Sequence, residues 1–449
     1  MSRPVNRENS SGRSSVKSSE KSSEKSMEKS GGNAKKEKSL CPSFGLCGAC
    51  TLLNMPYPQQ LARKKKRIEK LLSPYCSVEN ILGMEDPLHY RNKVHAVLGR
   101  TKAGHVTAGT YQEGTHRIVP VKDCLIEDAA AGPVIQDICR LAESFRLPVF
   151  DEDTGRGFLR HVLIRTARET GQMMVVLVAA SPVFPSRKNF VRELQKLHPE
   201  ITTVVLNVNP KKTSMVLGEK EIVLSGSGSI EDKLCGCTFR ISPRSFYQVN
   251  EAQAQVLFEK AMEYAAMTGK EKVIDAYCGI GTIGLIAASR GAGEVTGIEL
   301  NRAAVRDAAA NAKRNGIRNA VFLPGDAGQY MRRLAAEGKK ADILFMDPPR
   351  SGSDEIFLRS AAALSPRKIV YISCGPESLA RDLGVLTRLG YRAERACAVD
   401  LFPETEHVES CVLLERVSNR KADSYVKLNV KMADCYRIKD SAETENAEE

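Results

Sequence analysis

Four cysteines in the first third of the chain are spaced as ligands of a metal site. Cys41, Cys47 and Cys50 form a Cys-x5-Cys-x2-Cys pattern among glycine and proline residues, whose turns let three thiolates converge on one point. Cys124 is the best candidate for the fourth ligand that such a site needs. Four thiolates at this spacing suit either a zinc ion or a [4Fe–4S] cluster, and the spacing alone does not decide between them.

A glycine-rich turn indicates a second site. Residues 271–283 read Glu-Lys-Val-Ile-Asp-Ala-Tyr-Cys-Gly-Ile-Gly-Thr-Ile, a short apolar strand followed by Gly-x-Gly and the start of a helix. Glycines there let a ligand approach the backbone at the carboxyl end of the first strand of a doubly wound sheet. About 20 residues further on, a second predicted strand ends in Glu299, whose carboxylate can accept hydrogen bonds from ribose hydroxyls. This spacing suits NAD or S-adenosylmethionine.

Two later strands end in residues that favour methyl transfer. The apolar segment 341–346 leads into Asp347-Pro348-Pro349, which places a carboxylate and a rigid, flat backbone at the edge of the sheet where ligands bind. Methyltransferases acting on planar nitrogen heterocycles often have this motif, and hydride-transferring domains do not need it, so S-adenosylmethionine is favoured. The next strand ends at Cys374, before a predicted helix whose dipole would favour the thiolate. A buried strand-end cysteine without a chemical role is the alternative.

An acidic loop joins the last two predicted strands, Tyr391–Asp400 and His407–Arg416, and would hang over the pocket. Methylation of carbon 5 of uracil needs a thiolate that adds to carbon 6, a methyl sulfonium, and a base that removes the carbon 5 proton. Cys374, the Gly-x-Gly pocket and Glu409 would supply these three parts. A base inside folded RNA would also have to be flipped into the site.

The order of these features predicts several regions in the chain of 449 residues. We expect a disordered Ser, Lys and Glu-rich tail (1–40), a cysteine segment with a basic helix (41–86), a β-rich α+β domain that binds RNA and supplies Cys124 (87–240), a catalytic α/β domain (241–417) and a partly disordered extension (418–449). The basic helix is predicted over 56–72, and its run of charges is interpreted as a solvated face.

Short alternating segments separated by Gly, Asn, Pro and Ser indicate that the central domain is rich in antiparallel strands. Strands are predicted over 93–100, 117–121, 158–165, 173–179, 201–207 and 221–225, with a helix near 134–145.

The charge balance favours a polyanionic partner. The chain has a formal net charge of +12, and the basic N-terminal and acidic C-terminal tails cancel, so the surplus belongs to the folded middle. No apolar run approaches the roughly 18 residues that span a membrane, and the N-terminus is too polar for a signal peptide. We therefore expect a cytoplasmic protein whose thirteen cysteines are thiols, metal ligands or catalysts rather than disulfides, with no obligate protein partner evident.

Six motifs in order make the chain similar to the bacterial RNA uracil-5 methyltransferases. They are the cysteine cluster, Phe-Tyr-Gln-Val-Asn, Asp-Ala-Tyr-Cys-Gly-Ile-Gly-Thr, Asp-Pro-Pro-Arg, Ser-Cys-Gly-Pro-Glu-Ser-Leu-Ala-Arg-Asp-Leu and Phe-Pro-x-Thr-x-His-Val-Glu, between Cys41 and about Val417. The resemblance implies a class I S-adenosylmethionine methyltransferase fold, with a Rossmann-like seven-stranded sheet. It is specific for the branch acting on 23S rRNA, because the tRNA-specific relatives generally lack the cysteines.

The same resemblance implies roles for individual residues. It makes Cys374 the nucleophile and Glu409 the base, and it implies a [4Fe–4S] cluster on the four cysteines 41, 47, 50 and 124. It assigns to the S-adenosylmethionine pocket Gln248, Tyr277, Glu299 and Asp347, with Thr282 and Asp326 as further candidates. Gln248 and Asn250 would sit at the pocket entrance.

The sequence departs from the family at two pocket positions and leaves two rival classes open. Gly375 and Thr282 stand where relatives often have Asn. One rival is an S-adenosylmethionine-dependent amino-methyltransferase of the Asp-Pro-Pro group, which would not need Cys374 or Glu409. The other is a non-catalytic RNA-binding protein that keeps the fold as a scaffold.

Overall fold

A computed structural model describes residues 40–211 and 215–417. The predicted tail and the predicted C-terminal extension fall outside these residues, apart from Leu40. The described chain begins with the cysteine segment, helix α1 (Tyr57–Leu72) and strand β1 (Val78–Leu82). Within the described ranges, no helix combines the length and the apolar composition that a bilayer span requires.

The central region is a seven-stranded sheet with two helices packed on one face. Its elements are β2 (Lys93–Arg100), β3 (Val106–Tyr111), β4 (Ile118–Pro120), α2 (Ala131–Ser144), β5 (Leu159–Thr166), β6 (Met173–Ala179), α3 (Arg187–Leu197), β7 (Ile201–Val208) and β8 (Lys220–Ser225). The strand order is β4-β3-β2-β5-β6-β7-β8. Strands β6 and β7 are parallel and joined through α3, and the other neighbours are antiparallel, as the alternating pattern predicted.

A hairpin and a longer helix connect this sheet to the second one. The hairpin consists of β9 (Ile230–Leu234) and β10 (Cys237–Ile241), and α4 (Glu251–Ala265) follows it. The Asn250 side chain caps α4 by accepting a hydrogen bond from the Gln253 N–H at 3.2 Å. Apolar residues of the hairpin and α4 share one core with the second face of the central sheet, so the described regions pack continuously.

The second sheet alternates strands and helices. Its elements are β11 (Lys272–Ala276), α5 (Thr282–Ser289), β12 (Glu294–Glu299), α6 (Arg302–Arg314), β13 (Ala320–Pro324), α7 (Ala327–Ala336), β14 (Ile343–Met346), α8 (Glu355–Leu364), β15 (Lys368–Ser373), α9 (Pro376–Arg388), β16 (Tyr391–Val399) and β17 (Glu409–Arg416). Strands β11, β14 and β15 in the middle of the sheet are buried apolar runs, which is typical of parallel α/β sheets, whereas the edge strand β13 is largely exposed.

The strand order of this sheet is β1-β16-β17-β15-β14-β11-β12-β13. Strand β17 is antiparallel to both neighbours, and the other pairs are parallel. The seven strands β11 to β17 form the expected class I sheet. The cysteine segment adds an eighth, β1, which pairs with β16, a strand that the sequence reading did not predict.

Candidate active site

The strands β11, β12, β14 and β15 end at one edge of the second sheet, and a cavity of about 580 Å³ opens there. We call it the reaction cavity. Seven of the predicted site residues line it, namely Gln248, Tyr277, Thr282, Glu299, Asp347, Cys374 and Glu409. Ligands bind at this edge in open α/β sheets because loops diverge there and leave a crevice.

The Gly-x-Gly turn forms one wall of the reaction cavity. Gly281 has φ +84°, and a Cβ there would lie 2.9 Å from the Phe322 ring, so the tight turn requires glycine. The Gly279 N–H donates to Glu299 Oε2 at 3.1 Å, and the Asn301 N–H donates to Oε1 at 2.8 Å. These two bonds fix the carboxylate beside the turn and leave it lone pairs for ribose hydroxyls. The wall therefore fits the nucleoside part of a donor such as S-adenosylmethionine.

Tyr277 adds a flat surface to this wall. Its ring packs against Phe357 with a centroid separation of 5.0 Å, and its backbone has φ +63°, a conformation that is uncommon for a residue other than glycine. The Tyr277 hydroxyl lies 3.4 Å from Ser353 Oγ. The ring is thus fixed between the turn and α8.

Two predicted pocket residues have other local tasks. Asn250 is buried at the start of α4, where it caps the helix and donates to the Leu401 carbonyl at 3.0 Å, so the expectation that it sits at the pocket entrance was wrong. Asp326 caps α7 by accepting from the Gln329 N–H at 2.7 Å, and it is not among the residues that line the reaction cavity.

Cys374 and Glu409 stand at neighbouring strand ends. Ser373 of β15 pairs with Ser410 of β17 in an antiparallel ladder. Cys374 follows the first and Glu409 precedes the second, so the two are the next pair along the same strands. The parallel strand β14, on the other side of β15, ends just before Asp347. Three ionisable groups therefore meet over three adjacent strands.

Burial disfavours the charged forms of all three groups. It raises the pKa of Glu409 to about 8 and that of Asp347 to about 7, with repulsion from Asp347 adding to the shift of Glu409. The pKa of the Cys374 thiol rises to about 11 because of burial, then Glu409 and Asp347, while Arg350 opposes the shift. The thiolate-favouring effect that we expected from the α9 N-terminus is outweighed here, first by burial and then by the two acidic groups that share the site.

Arg350 and His407 are polar residues of the site that the sequence reading did not single out. The Arg350 guanidinium contacts the His407 ring, and both line a second cavity of about 660 Å³. Cys374 and Arg350 line both cavities, so the thiol lies where the two spaces meet. The position of Arg350 directly after Asp-Pro-Pro was the available signal for it.

Gly375 stands where relatives often have Asn, and the close approach of the Asp-Pro-Pro-Arg loop to the start of α9 explains the glycine. A Cβ at this position would lie 2.5 Å from the Arg350 carbonyl oxygen. The Ser378 hydroxyl donates to that same oxygen at 2.9 Å. Glycine after the cysteine therefore lets the Asp-Pro-Pro-Arg loop pack against the start of α9.

The sequence did not point to two of the aromatic and basic residues that line the reaction cavity. Phe246 is 70% exposed and lines the reaction cavity together with Arg91 and Phe402. Phe246 belongs to the Phe-Tyr-Gln motif, which could have identified it, whereas no motif marks Arg91. An exposed aromatic ring beside a guanidinium suits a stacked nucleobase and its phosphate.

The four cysteines predicted as ligands line one small cavity of about 30 Å³. We call it the cysteine cavity. Burial, followed by repulsion from Cys124 and Cys47, raises the pKa of the Cys50 thiol to about 12. The pKa of the Cys124 thiol is likewise raised to about 11, by burial and then by repulsion from Glu127.

Among residues 40–211 and 215–417, no three His, Cys, Asp or Glu side chains are grouped closely enough to hold one metal ion. The four cysteines therefore share a cavity without being grouped as a site for one ion.

The sheet, the Gly-x-Gly turn and Glu299 define a class I S-adenosylmethionine-dependent methyltransferase. The sequence model of the tRNA (uracil-5-)-methyltransferase family matches residues 56–417, and the chain belongs to this family. It is a member of the RNA uracil-5 methyltransferases, as the sequence motifs predicted.

Relatives in sequence and structure agree with this assignment. The chain is 41% identical over 380 residues to an uncharacterized RNA methyltransferase of Halalkalibacterium halodurans, covering 84% of this chain and 82% of the relative. It is also 41% identical over 382 residues to one of Caldanaerobacter subterraneus, covering 84% of each. The solved tRNA (uracil-54, C5)-methyltransferase of Pyrococcus abyssi, in complex with S-adenosyl-L-homocysteine, has a TM-score of 0.69 and 28% identity over 82% of this chain and 86% of that one.

Proposed function

We propose that this enzyme methylates carbon 5 of uridine in 23S rRNA through a covalent bond between Cys374 and carbon 6 of the base. The observation that carries the proposal is the placement of Cys374 and Glu409 at adjacent strand ends in one cavity with the Gly-x-Gly turn. A nucleophile and a carboxylate are both needed for this reaction, because uracil carbon 5 is itself a poor nucleophile.

The donor half of the reaction cavity would be formed by the turn and its neighbours. S-adenosylmethionine supplies a methyl group on a positively charged sulfur. Glu299 would accept hydrogen bonds from the ribose, and Tyr277 would offer its ring as a flat contact. Gln248, Thr282 and Asp347 would complete the pocket, since their side chains line the same space.

The acceptor half would perform the covalent chemistry. The Cys374 thiolate would form a bond to carbon 6, and the electron pair of the ring double bond would move to carbon 5. Carbon 5 would take the methyl group as the bond between that group and the donor sulfur breaks, and the sulfur would keep that bond's electron pair. Glu409 then accepts the carbon 5 proton, the double bond forms again, and the sulfur leaves with its electron pair. The ionised forms of Cys374 and Glu409 would be favoured when the positively charged sulfur of S-adenosylmethionine lies in the reaction cavity, since a nearby positive charge lowers both pKa values.

RNA would reach Cys374 through the second cavity. A flipped uridine could stack on Phe246 or Phe402, both of which line the reaction cavity. Arg350 and Arg67 line the second cavity and would contact phosphates of the flanking nucleotides. The reduced thiols that this chemistry requires suit a cytoplasmic location.

The choice of 23S rRNA is supported by the cysteine cavity. Cys41, Cys47, Cys50 and Cys124 would bind a [4Fe–4S] cluster, which we assign a structural or RNA-contacting task because no step of the reaction transfers electrons. Methylation of tRNA is the second candidate, because the similar Pyrococcus abyssi enzyme is a tRNA (uracil-54, C5)-methyltransferase. An Asp-Pro-Pro-type amino-methyltransferase is less well supported, since it would not need Cys374 and Glu409 together.

The test is methyl transfer from labelled S-adenosylmethionine to unmodified 23S rRNA and to unmodified tRNA in parallel, followed by nucleoside mass spectrometry. We expect 5-methyluridine in 23S rRNA and none in tRNA. Product on tRNA alone would keep the chemistry and refute the rRNA assignment. A methylated adenine or cytosine would refute the mechanism.

A further inference from the structure

The loop 400–408 joins β16 to β17, leads directly into Glu409, and is held by helix α1. Gln60 Nε2 donates to Glu404 Oε2 at 2.9 Å, and the Glu404 backbone N–H donates to Gln60 Oε1 at 3.0 Å. Lys64, which is 1% exposed, donates to Asp400 Oδ1 at 2.6 Å and to the Phe402 carbonyl at 3.0 Å. This part of α1 therefore binds the loop rather than solvent, contrary to the expectation of a solvated face.

Two further segments bind the middle of the same loop. The backbone N–H groups of Thr51 and Leu52 donate to the Glu404 carbonyl at 2.9 and 3.0 Å. The Tyr90 hydroxyl, before strand β2, donates to the Pro403 carbonyl at 3.0 Å. Contacts from three separate segments thus converge on two consecutive residues.

Glu404 adopts a backbone conformation that needs such support. Its φ is +66°, which is unusual for a residue with a Cβ. Strained conformations of this kind persist where the surrounding structure over-determines them. Gln60 satisfies both the N–H and the side chain of Glu404, so the shape of the loop depends on residues outside it.

Helix α4 holds the start of the loop from a different side. Asn250 Nδ2 donates to the Leu401 carbonyl at 3.0 Å, and Gln253 Nε2 donates to the Asp400 carbonyl at 3.1 Å. Apart from the bond between Lys64 and Asp400, the contacts described from α1 and Tyr90 lie further along, at Phe402 to Glu404, which is nearer to Glu409.

We propose that Gln60, Lys64 and Tyr90, which we call the loop clamp, are positioning residues for Glu409. The inference rests on the proposed function, in which Glu409 removes the carbon 5 proton. The loop clamp acts through the loop 400–408, which connects it to Glu409 in sequence. It fixes where the carboxylate stands relative to the carbon 5 hydrogen.

The proposal predicts that one step of the reaction is affected more than the others. Addition of the Cys374 sulfur to carbon 6 and methyl transfer to carbon 5 do not use Glu409. Breaking of the carbon 5–hydrogen bond does, with the proton passing to the carboxylate and the sulfur leaving carbon 6. A loosened clamp should therefore let the covalent RNA adduct form and delay its release.

The experiment compares Gln60→Leu with Ile68→Val, a conservative core change on the same helix. Gln60 is chosen because loss of Lys64 would leave the Asp400 carboxylate buried without its cation and could prevent folding. The measurements are tritium release from 5-tritiated uridine in 23S rRNA, the fraction of protein in an SDS-resistant RNA adduct, and the KM for S-adenosylmethionine. Glu409→Gln serves as the reference for a complete stall.

We expect Gln60→Leu to slow tritium release by roughly 10- to 100-fold, because a misplacement of about 1 Å can cost that much. Its adduct fraction should rise toward that of Glu409→Gln, with the KM unchanged. Ile68→Val should lower thermal stability and leave the adduct fraction as in the wild type. Equal adduct fractions in the two variants would overturn the proposal.

Hydrogen exchange separates this inference from the proposed function. Amides of residues 400–408 should exchange faster in Gln60→Leu and in the isosteric Tyr90→Phe than in Ile68→Val. If the wild type released no tritium from uridine, the proposed function would fail, and the exchange data would still decide whether the clamp holds the loop. Unchanged exchange of these amides in both Gln60→Leu and Tyr90→Phe would refute the proposal that the loop clamp holds the loop.

Discussion

The reaction cavity and the cysteine cavity both bury acidic groups together, but they differ about twentyfold in volume. The first measures about 580 Å³ and the second about 30 Å³. Burial and like charges raise the pKa of Glu409 in the first and of Cys50 in the second. The first has room for a nucleoside donor and a base, and the second does not.

The pKa values show a second difference between the two cavities. Glu409 and Asp347 have pKa values of about 8 and about 7, so small changes in local charge can switch their protonation. The pKa values of Cys50 and Cys124 are raised to about 12 and about 11, mainly by burial, so both groups remain thiols at neutral pH. The comparison separates a cavity whose acids titrate near neutral pH from one whose thiols do not.

The largest expected effect is that of Cys374→Ala. Removal of the nucleophile should lower 5-methyluridine formation by several orders of magnitude, on the order of 10⁴ or more, because the covalent route is lost. Binding of S-adenosylmethionine, measured by calorimetry, and iron content should stay as in the wild type. Activity that survives this change would favour the amino-methyltransferase class and remove the basis for treating the reaction cavity as a covalent site.

Most of the fold could be predicted because each element carries its own periodicity. The segments 93–100 and 173–179 were predicted with the bounds that the structure has, and α1 differs by one residue at its start. Strand β1 was missed because its partner β16 lies more than 300 residues further along the chain. A five-residue strand with a mostly half-exposed pattern has no alternating signal of its own.

The site was predictable where function depends on position along one strand. Cys374, Asp347 and Glu299 each follow a buried apolar run, and the topology of α/β sheets brings such ends together. Contacts between distant segments left no such signal. The burial of Lys64 against Asp400 joins residues 336 positions apart, and a charge run in sequence does not show which of its members faces inward.

An intermediate effect is expected for Cys124→Ser. Loss of one ligand of the proposed [4Fe–4S] cluster should remove most of the iron and its visible absorption and should lower the melting temperature, because metal binding and folding are coupled. Turnover per folded molecule should fall by much less than for Cys374→Ala. Cys76→Ser is the matched control, since Cys76 is also half-buried but does not line the cysteine cavity. Iron content equal in both variants would contradict the ligand assignment.

The smallest expected effect is on the pH dependence of stability in Glu409→Gln. Burial raises the pKa of Glu409 to about 8 in the folded protein from its ordinary value of 4.5, so the folded state binds more protons between these pH values. The free energy of unfolding of the wild type therefore falls as pH rises through this window, and the neutral amide does not share this loss. The variant should gain stability relative to the wild type from pH 5 to 8, by a few kcal/mol at most, since one pKa unit is about 1.4 kcal/mol.

Chemical denaturation at a series of pH values measures this gain. Glu337→Gln is the control, because that exposed carboxylate has its pKa lowered by a hydrogen bond from Lys339 and should give no gain with rising pH. If the difference in the free energy of unfolding between Glu409→Gln and the wild type did not change with pH, the Glu409 carboxylate would already be ionised in the free protein. Glu409 could then accept a proton before S-adenosylmethionine binds. The reaction cavity and the cysteine cavity would in that case differ only in volume.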